Sequence, residues 1–183
     1  MLTNYIQCSP AEVQQWHQQF LSLAPHGKLK RRDFERIYSQ AFPGMDTKAL
    51  ADLIYSYFDS DNSGYVNFVE FFVPNVLFRR FGQSDSQQRA RAIFQIIDAS
   101  DDNSISPKEL RKALEALYKF RGLVAEQSGM DAKTKAQQIM AMMDYDCDRR
   151  ISEQEFVYAL MRDPDLRGIL EFDYSTPMGT YHQ

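Results

Sequence analysis

Residues 59–70 read Asp-Ser-Asp-Asn-Ser-Gly-Tyr-Val-Asn-Phe-Val-Glu, a stretch of twelve residues with oxygen donors at regular positions. Side-chain oxygens stand at positions 1, 3, 5 and 9, and a glycine stands at position 6, where the chain must turn sharply. Position 7 offers a backbone carbonyl, and the glutamate at position 12 can give two oxygens. Such a donor set suits a hard cation of the size of calcium. The predicted ligands are Asp59, Asp61, Ser63, Tyr65, Asn67 and Glu70.

The pattern recurs at residues 98–109 and 144–155, which both begin with aspartate and end with glutamate. The same positions of these two stretches, again with a backbone carbonyl at position 7, give their predicted ligands. Those ligands are Asp98, Ser100, Asp102, Ser104, Ser106 and Glu109 in one stretch and Asp144, Asp146, Asp148, Arg150, Ser152 and Glu155 in the other. We therefore expect two or three bound calcium ions, with magnesium as an alternative occupant of 98–109.

A fourth, degenerate copy of the loop lies at residues 22–33. Its positions 1, 3 and 5 are Ser22, Ala24 and His26, and it ends in Asp33, which is one methylene shorter than glutamate. We expect this copy to keep the fold of the loop and to bind no metal. The four copies begin roughly forty residues apart, and an internal repeat of that kind determines the architecture.

Apolar residues recur with helical spacing before the loops, and capping boxes at Ser9, Ser106 and Ser152 predict helix starts. Apolar residues at position 8 can pair as short antiparallel strands between neighbouring loops. The sequence predicts an all-α fold of four EF-hand helix-loop-helix units in two paired lobes, with this short β pairing. The predicted divisions are 1–82, 83–163 and a C-terminal tail at 164–183.

The N-terminal part carries further specific residues. The helix at 13–20 leads into the degenerate loop, which keeps Pro25 and Gly27 and continues into Phe34. In these residues the chain resembles the neuronal calcium sensor family of EF-hand proteins, over about residues 10–170. The resemblance implies a calcium sensor that exposes an apolar groove and binds an amphipathic helix of a protein target.

Three features depart from that family. Residue 2 is Leu2 where the family has the glycine that is N-myristoylated, so we expect no membrane attachment by that motif. Pro74 lies four residues after the last ligand of the 59–70 loop and predicts a kink or an early end of the exiting helix. Position 6 is Asn103 in one loop and Arg149 in another, where a left-handed conformation suits arginine poorly.

The predicted groove is lined by large apolar residues of the first lobe, and the family resemblance carries most of this prediction. The plainer interpretation is that most of these residues form the core of that lobe. The residues are Trp16, Phe20, Phe34, Ile37, Tyr38, Phe58, Phe71, Phe72, Leu77 and Phe78. The tail offers a short apolar stripe at Leu166, Ile169 and Leu170, which could dock on the protein's own groove or fray.

Charge and composition limit the other functions. The formal net charge of −4 argues against nucleic acid as a partner. Cys8 and Cys147 predict reduced thiols and a cytoplasmic protein, since the sequence shows neither a secretory signal nor a membrane span. Basic residues around position 30 make contact with acidic lipid a weaker alternative. The histidines have no evident catalytic partners, so we expect no enzyme.

Two other functions remain open at this point. A constitutive regulatory subunit of an enzyme or channel, as in calcineurin B-like proteins, would hold its target at all calcium levels. A calcium buffer would bind ions with little opening, and the wealth of aromatic residues argues mildly against it.

Overall fold

The computed structural model describes residues 8–81, 85–123 and 131–172, and in these ranges the chain is mainly helical. The helices are α1 (Pro10–Leu23), α2 (Arg31–Ala41), α3 (Lys48–Phe58), α4 (Phe68–Phe81), α5 (Ser86–Ile97), α6 (Pro107–Phe120), α7 (Ala132–Met143), α8 (Glu153–Arg162) and α9 (Pro164–Leu170). Two short strands, β1 (Ser104–Ile105) and β2 (Ile151–Ser152), form an antiparallel pair. Each predicted loop connects two helices, so the all-α EF-hand fold is confirmed.

The predicted capping boxes are present at the helix starts. The side chains of Ser9, Ser106 and Ser152 each accept the backbone amide three residues later, and a glutamate at that position accepts the serine's own amide. In two cases this glutamate is also position 12 of a loop, namely Glu109 and Glu155. One side chain therefore links the end of the loop to the first turn of the exiting helix.

Neighbouring loops pair through their position-8 residues, as predicted. Leu29 of the degenerate loop and Val66 exchange two backbone hydrogen bonds of 3.0 and 2.9 Å. In the second half, Ile105 pairs with Ile151 in the antiparallel ladder. All four side chains are fully buried, so the pairing joins each loop to the hydrophobic core beneath it.

The helices pack in two groups that touch each other. Helix α1 packs against α4 and α2 against α3, while α5 packs against α8 and α6 against α7. Helix α3 also packs against α6, and the rings of Phe42 and Phe120 meet edge to face with centroids 5.0 Å apart. The boundaries predicted for the two lobes stay predictions. No helix in the described ranges is long and apolar enough to cross a membrane.

Helix α4 continues through Pro74, so the predicted early end is wrong, and the alternative of a kink stays a prediction. The proline lacks the amide that would bond the carbonyl of Glu70, which removes one helical hydrogen bond. Burial offsets this loss, since Phe71 and Val76 are buried and the Phe71 ring contacts Trp16 and Phe20 of α1. The buried Asn75 adds a side-chain hydrogen bond of 2.7 Å to the carbonyl of Phe71.

The beginning of the predicted tail is ordered against the second half. Leu166, Leu170 and Phe172 are buried, and α9 packs on α8. Arg121 at the end of α6 donates hydrogen bonds to the carbonyls of Ile169 and Glu171, at 2.9 and 2.8 Å. Docking of the stripe at 166–170 on the protein's own groove stays a prediction, and the tail from 173 onward lies outside the described residues.

Candidate metal centres

The 59–70 loop closes around its first aspartate. Asp59 accepts the amides of Ser63 and Gly64 at 3.0 and 3.1 Å, one on each carboxylate oxygen. Glu70 reaches back from α4 and accepts the amides of Asp61 and Asn67 at 3.4 and 2.9 Å. The first and last ligands of the motif are thus held on opposite sides of one small space.

Three carboxylates converge in that space. Asp59, Asp61 and Glu70 each place one oxygen within 4.8 Å of the other two. Oxygens at this separation can ligate one ion, since calcium–oxygen distances are about 2.3–2.6 Å. The carbonyl of Tyr65 lies at the same loop and accepts the hydroxyl of Ser63 at 2.9 Å. The donor set therefore fits a calcium ion.

The 144–155 loop has the same construction with a different group of acids. Asp144 accepts the amides of Asp148 and Arg149 at 3.1 and 3.0 Å. Oxygens of Asp144, Asp146 and Asp148 lie within 4.8 Å of one another, which again fits one divalent ion. The fourth acid, Glu155, accepts the amide of Tyr145 at 2.8 Å from the other side of the loop.

The 98–109 loop keeps the backbone geometry but not the convergence of acids. Asp98 accepts the amides of Asp102 and Asn103 at 3.3 and 2.9 Å, and Glu109 accepts the amide of Ser100 at 3.0 Å. In the described ranges, its carboxylates form no group of three like those of the other two loops. Burial raises the pKa of Asp98, and the nearby charges of Asp102 and Glu109 act in the same direction.

Position 6 is left-handed in all three loops, as the turn predicted. The φ angles are +83° at Gly64, +63° at Asn103 and +68° at Arg149. Position 4 is left-handed as well, with φ of +55° at Asn62 and +62° at Cys147, and sequence reasoning missed this second turn. Asn and Asp at position 4 of the first two loops were the available signal, because both tolerate this conformation.

The degenerate loop keeps the turn but not the ligands. Gly27 has a φ of +70°, while the hydroxyl of Ser22 donates to a carbonyl of its own helix at 2.7 Å. Asp33 accepts the amide of Lys30 at 3.3 Å, which reproduces the closing bond of the other loops. The Lys28 ammonium lies 4.1 Å from the centre of the Tyr65 ring, so this loop sends a cation onto an aromatic face of its neighbour.

The predicted groove residues lie together in the core of the first half. Trp16, Phe20, Phe34, Ile37, Tyr38, Phe58 and Phe71 are buried, and Phe72 and Leu77 are partly buried. The side chain of Phe78 lies outside the described part of the structure. Contacts between rings connect α1 with α4, with centroids 5.2 Å apart for Phe20 and Phe71.

The sequence is similar to known protein families and to individual proteins. Two family models described as an EF-hand domain pair match the chain, one over residues 25–76 and the other over 87–161. Human recoverin is 24% identical over 170 residues, covering 90% of this chain and 83% of its own length. Neuronal calcium sensor 1 of Lymnaea stagnalis is 27% identical over 159 residues, covering 85% and 81%. The chain thus carries two EF-hand pairs and is similar to neuronal calcium sensors over most of its length.

A further relative is the guanylyl cyclase inhibitory protein of Lithobates pipiens. It is 25% identical over 167 residues, covering 90% of this chain and 80% of its own length. These similarities agree with the resemblance predicted from the residues at positions 13–34. The EF-hand matches and the converging acids of two loops support calcium binding.

One charged side chain in this site has a role that the loop pattern did not indicate. Arg150 was predicted to contribute its position-7 carbonyl, but its guanidinium pairs with Asp102 of the neighbouring loop. The β pairing of the loops was the available signal, because it brings residue 150 next to the 98–109 loop.

Proposed function

We propose that this protein is a calcium sensor that opens an apolar groove between α1 and α4 and binds an amphipathic helix of a target protein. Calcium binds at 59–70 and 144–155, through the ligands that the sequence predicts. The 98–109 loop is a third site, for calcium or magnesium. An inhibitory action on an enzyme, which the name of the relative from Lithobates pipiens states for that protein, supports a protein as the target.

The observation that carries this proposal is the position of Glu70 within the aromatic cluster. Glu70 is both the last ligand of the 59–70 loop and a residue of the first turn of α4. On either side of it along the chain stand Phe68 and Phe71, which contact the ring of Phe20 on α1 at 5.8 and 5.2 Å. A shift of the Glu70 carboxylate toward an ion therefore moves these rings relative to α1.

The apolar surface that such a shift would release is large. Trp16 contacts Phe71 and Phe72 with ring centroids 6.1 and 6.3 Å apart, and it is only 7% exposed. Separation of α1 from α4 would bring these three rings to the surface as one strip. An amphipathic helix would cover this strip with apolar residues spaced three and four apart.

Calorimetric titration with calcium, with and without magnesium, tests this proposal when it is paired with a dye that reports exposed apolar surface. We expect two or three bound ions and a rise of the dye signal with calcium alone. The variant Glu70→Gln should lose most of that rise, and the exposed Glu115→Gln serves as the matched control. Binding without a rise would instead favour a buffer or a constitutive subunit.

A further inference from the structure

The side chain of Arg150 leaves its own loop and contacts the neighbouring one. Its Nη2 forms an ion pair with Oδ2 of Asp102, and its Nε donates to the hydroxyl of Ser104. The same Nη2 lies 3.5 Å from the carbonyl oxygen of Ser104. A permanently charged guanidinium thus lies among the oxygens of the 98–109 loop.

These oxygens are the ones that a metal ion would need. Asp102 is position 5 of the loop, and the carbonyl of Ser104 is position 7. A divalent ion that uses both atoms has to displace the guanidinium, or to share Asp102 with it against charge repulsion. The arginine therefore competes with an ion for two of the six predicted ligands of this loop.

The backbone holds Arg150 in this place. It directly precedes β2, and the register of the ladder sets Ser104 opposite Ser152 and Ile105 opposite Ile151. Its own amide donates to Asp148 at 2.7 Å, which fixes the start of the strand. The pairing of the two loops therefore brings Arg150 next to the 98–109 loop, and its side chain reaches the oxygens of that loop.

A second observation is independent of the arginine contact. The acids of 59–70 and those of 144–155 each converge within 4.8 Å, whereas the 98–109 loop forms no such group in the described residues. The loop that receives the guanidinium is thus also the loop whose carboxylates do not gather around one point. In the other pair of loops, 22–33 and 59–70, the cation at the same position 7 is Lys28. Its ammonium lies over the ring of Tyr65 and not on a carboxylate.

We infer that Arg150 is a tethered cation of the 98–109 loop, which lowers the affinity of that loop for divalent ions and makes it the last of the three to fill. This inference rests on the proposed function for the assignment of the loops. Its consequence is an order of loading. Loops 59–70 and 144–155 respond first, and 98–109 binds an ion only when Arg150 releases Asp102.

The test isolates the 98–109 loop in the full chain. Glu70→Gln and Glu155→Gln together weaken calcium binding by the other two loops. Calcium binding to this double variant is then measured by calorimetry. The backbone amide signals of residues 98–109 in NMR spectra show whether the ion binds at that loop. Arg150→Gln is compared in this background with Arg149→Gln. The control removes the same charge one residue away, from an exposed side chain.

We expect Arg150→Gln to tighten calcium binding at 98–109 at least about tenfold and Arg149→Gln to change it less than about threefold, since the guanidinium competes through direct contact. Arg150→Lys keeps the charge but loses the fork of donors, so its affinity should fall in between. The Arg150–Asp102 pair is partly exposed and adds little to folding, so the variants should remain folded.

Equal effects of the two glutamine variants would overturn the inference, because general charge would then explain the change. An empty 98–109 loop in Arg150→Gln would overturn it as well. The wild-type protein is titrated in parallel to separate this result from failure of the proposed function. Wild-type protein that leaves 59–70 and 144–155 empty overturns the proposed function, and with it the inference.

Discussion

The loops at 59–70 and 98–109 have the same residue types at their first and last ligand positions, but the loop paired with each contacts it differently. In both, an aspartate at position 1 accepts the amides of positions 5 and 6, and a glutamate at position 12 accepts the amide of position 9. The degenerate loop places Lys28 on an aromatic face beside 59–70. The 144–155 loop places Arg150 on a carboxylate of 98–109.

If Arg150 competes with an ion as we infer, the sequence of an EF-hand loop does not decide its affinity alone. The local motif supplies the oxygens, and the paired loop decides whether a cation of the protein already occupies some of them. Three experiments separate the contribution of a loop's own motif from that of its paired loop. They remove the charge at position 12, change the backbone strain at position 6, and compare the titration of Asp61 with that of Asp102.

The largest effect is expected from Glu70→Gln compared with Glu109→Gln. Glutamine keeps the hydrogen-bonding pattern of a capping box but loses the charge and the bidentate ligand. Glu70→Gln should weaken the binding of calcium at 59–70 about 100-fold or more, whereas Glu109→Gln should change the first binding events less than about threefold. Calorimetric titration of both variants measures this difference.

Equal losses in the two variants would mean that the loops fill together, and the contrast between them would then be wrong. Glu115→Gln is again a suitable control, because Glu115 is exposed, lies on α6 outside the loop and pairs with Arg111. It should leave all binding steps unchanged.

A smaller effect is expected at position 6, where the backbone is left-handed in all three loops. A Cβ on Gly64 would meet no atom within 4 Å, so Gly64→Ala should destabilise the protein through backbone strain alone, by about 1 kcal/mol. Arg149→Gly should stabilise it by roughly 0.5 kcal/mol, since relief of strain is partly offset by the entropy of glycine in the unfolded chain. Denaturant unfolding of the calcium-free protein measures both changes.

Asn103→Gly should be nearly neutral, because asparagine tolerates the left-handed region. A large gain in stability or in calcium affinity from this variant would mean that the inferred lower affinity of 98–109 comes from its backbone and not from Arg150. The three substitutions therefore separate the strain of the turn from the competition by a neighbouring cation.

The parts of this site that follow from sequence are those in which the interacting groups belong to one loop. The ligands of 59–70, the left-handed Gly64 and the capping glutamates are local, so their spacing along the chain specifies them. The contact between Arg150 and Asp102 joins residues that are 48 positions apart. It depends on the direction of one long side chain, which no spacing encodes.

Pro74 shows a case in which a local sequence rule predicts a helix end that the structure does not have. The rule that proline ends a helix is correct for an isolated segment, but α4 buries Phe71 and Val76 in the core and continues to Phe81. Tertiary packing outweighs the loss of one hydrogen bond. This balance cannot be predicted from the sequence alone, because it depends on where α1 lies.

The smallest effect is expected in the titration of Asp61 and Asp102, which tests the contact of Arg150 without any metal. Hydrogen bonds from Ser63 hold the pKa of Asp61 below its ordinary value. A hydrogen bond from Ser104 lowers the pKa of Asp102, and the adjacent Arg150 lowers it further. Arg150→Gln should therefore raise the pKa of Asp102 toward its ordinary value and leave that of Asp61 unchanged.

Carboxyl-carbon NMR titration of the calcium-free protein measures both groups in one sample. Since the pKa of each is lower in the folded state than in the unfolded chain, each stabilises the fold above the unfolded-state value, and this contribution is lost as the pH falls through the folded-state value. In Arg150→Gln the contribution of Asp102 should shrink, and its loss should be complete at a higher pH than in the wild-type protein. An unchanged pKa of Asp102 would show that the guanidinium does not remain on this carboxylate in solution, and the two loops would then differ for another reason.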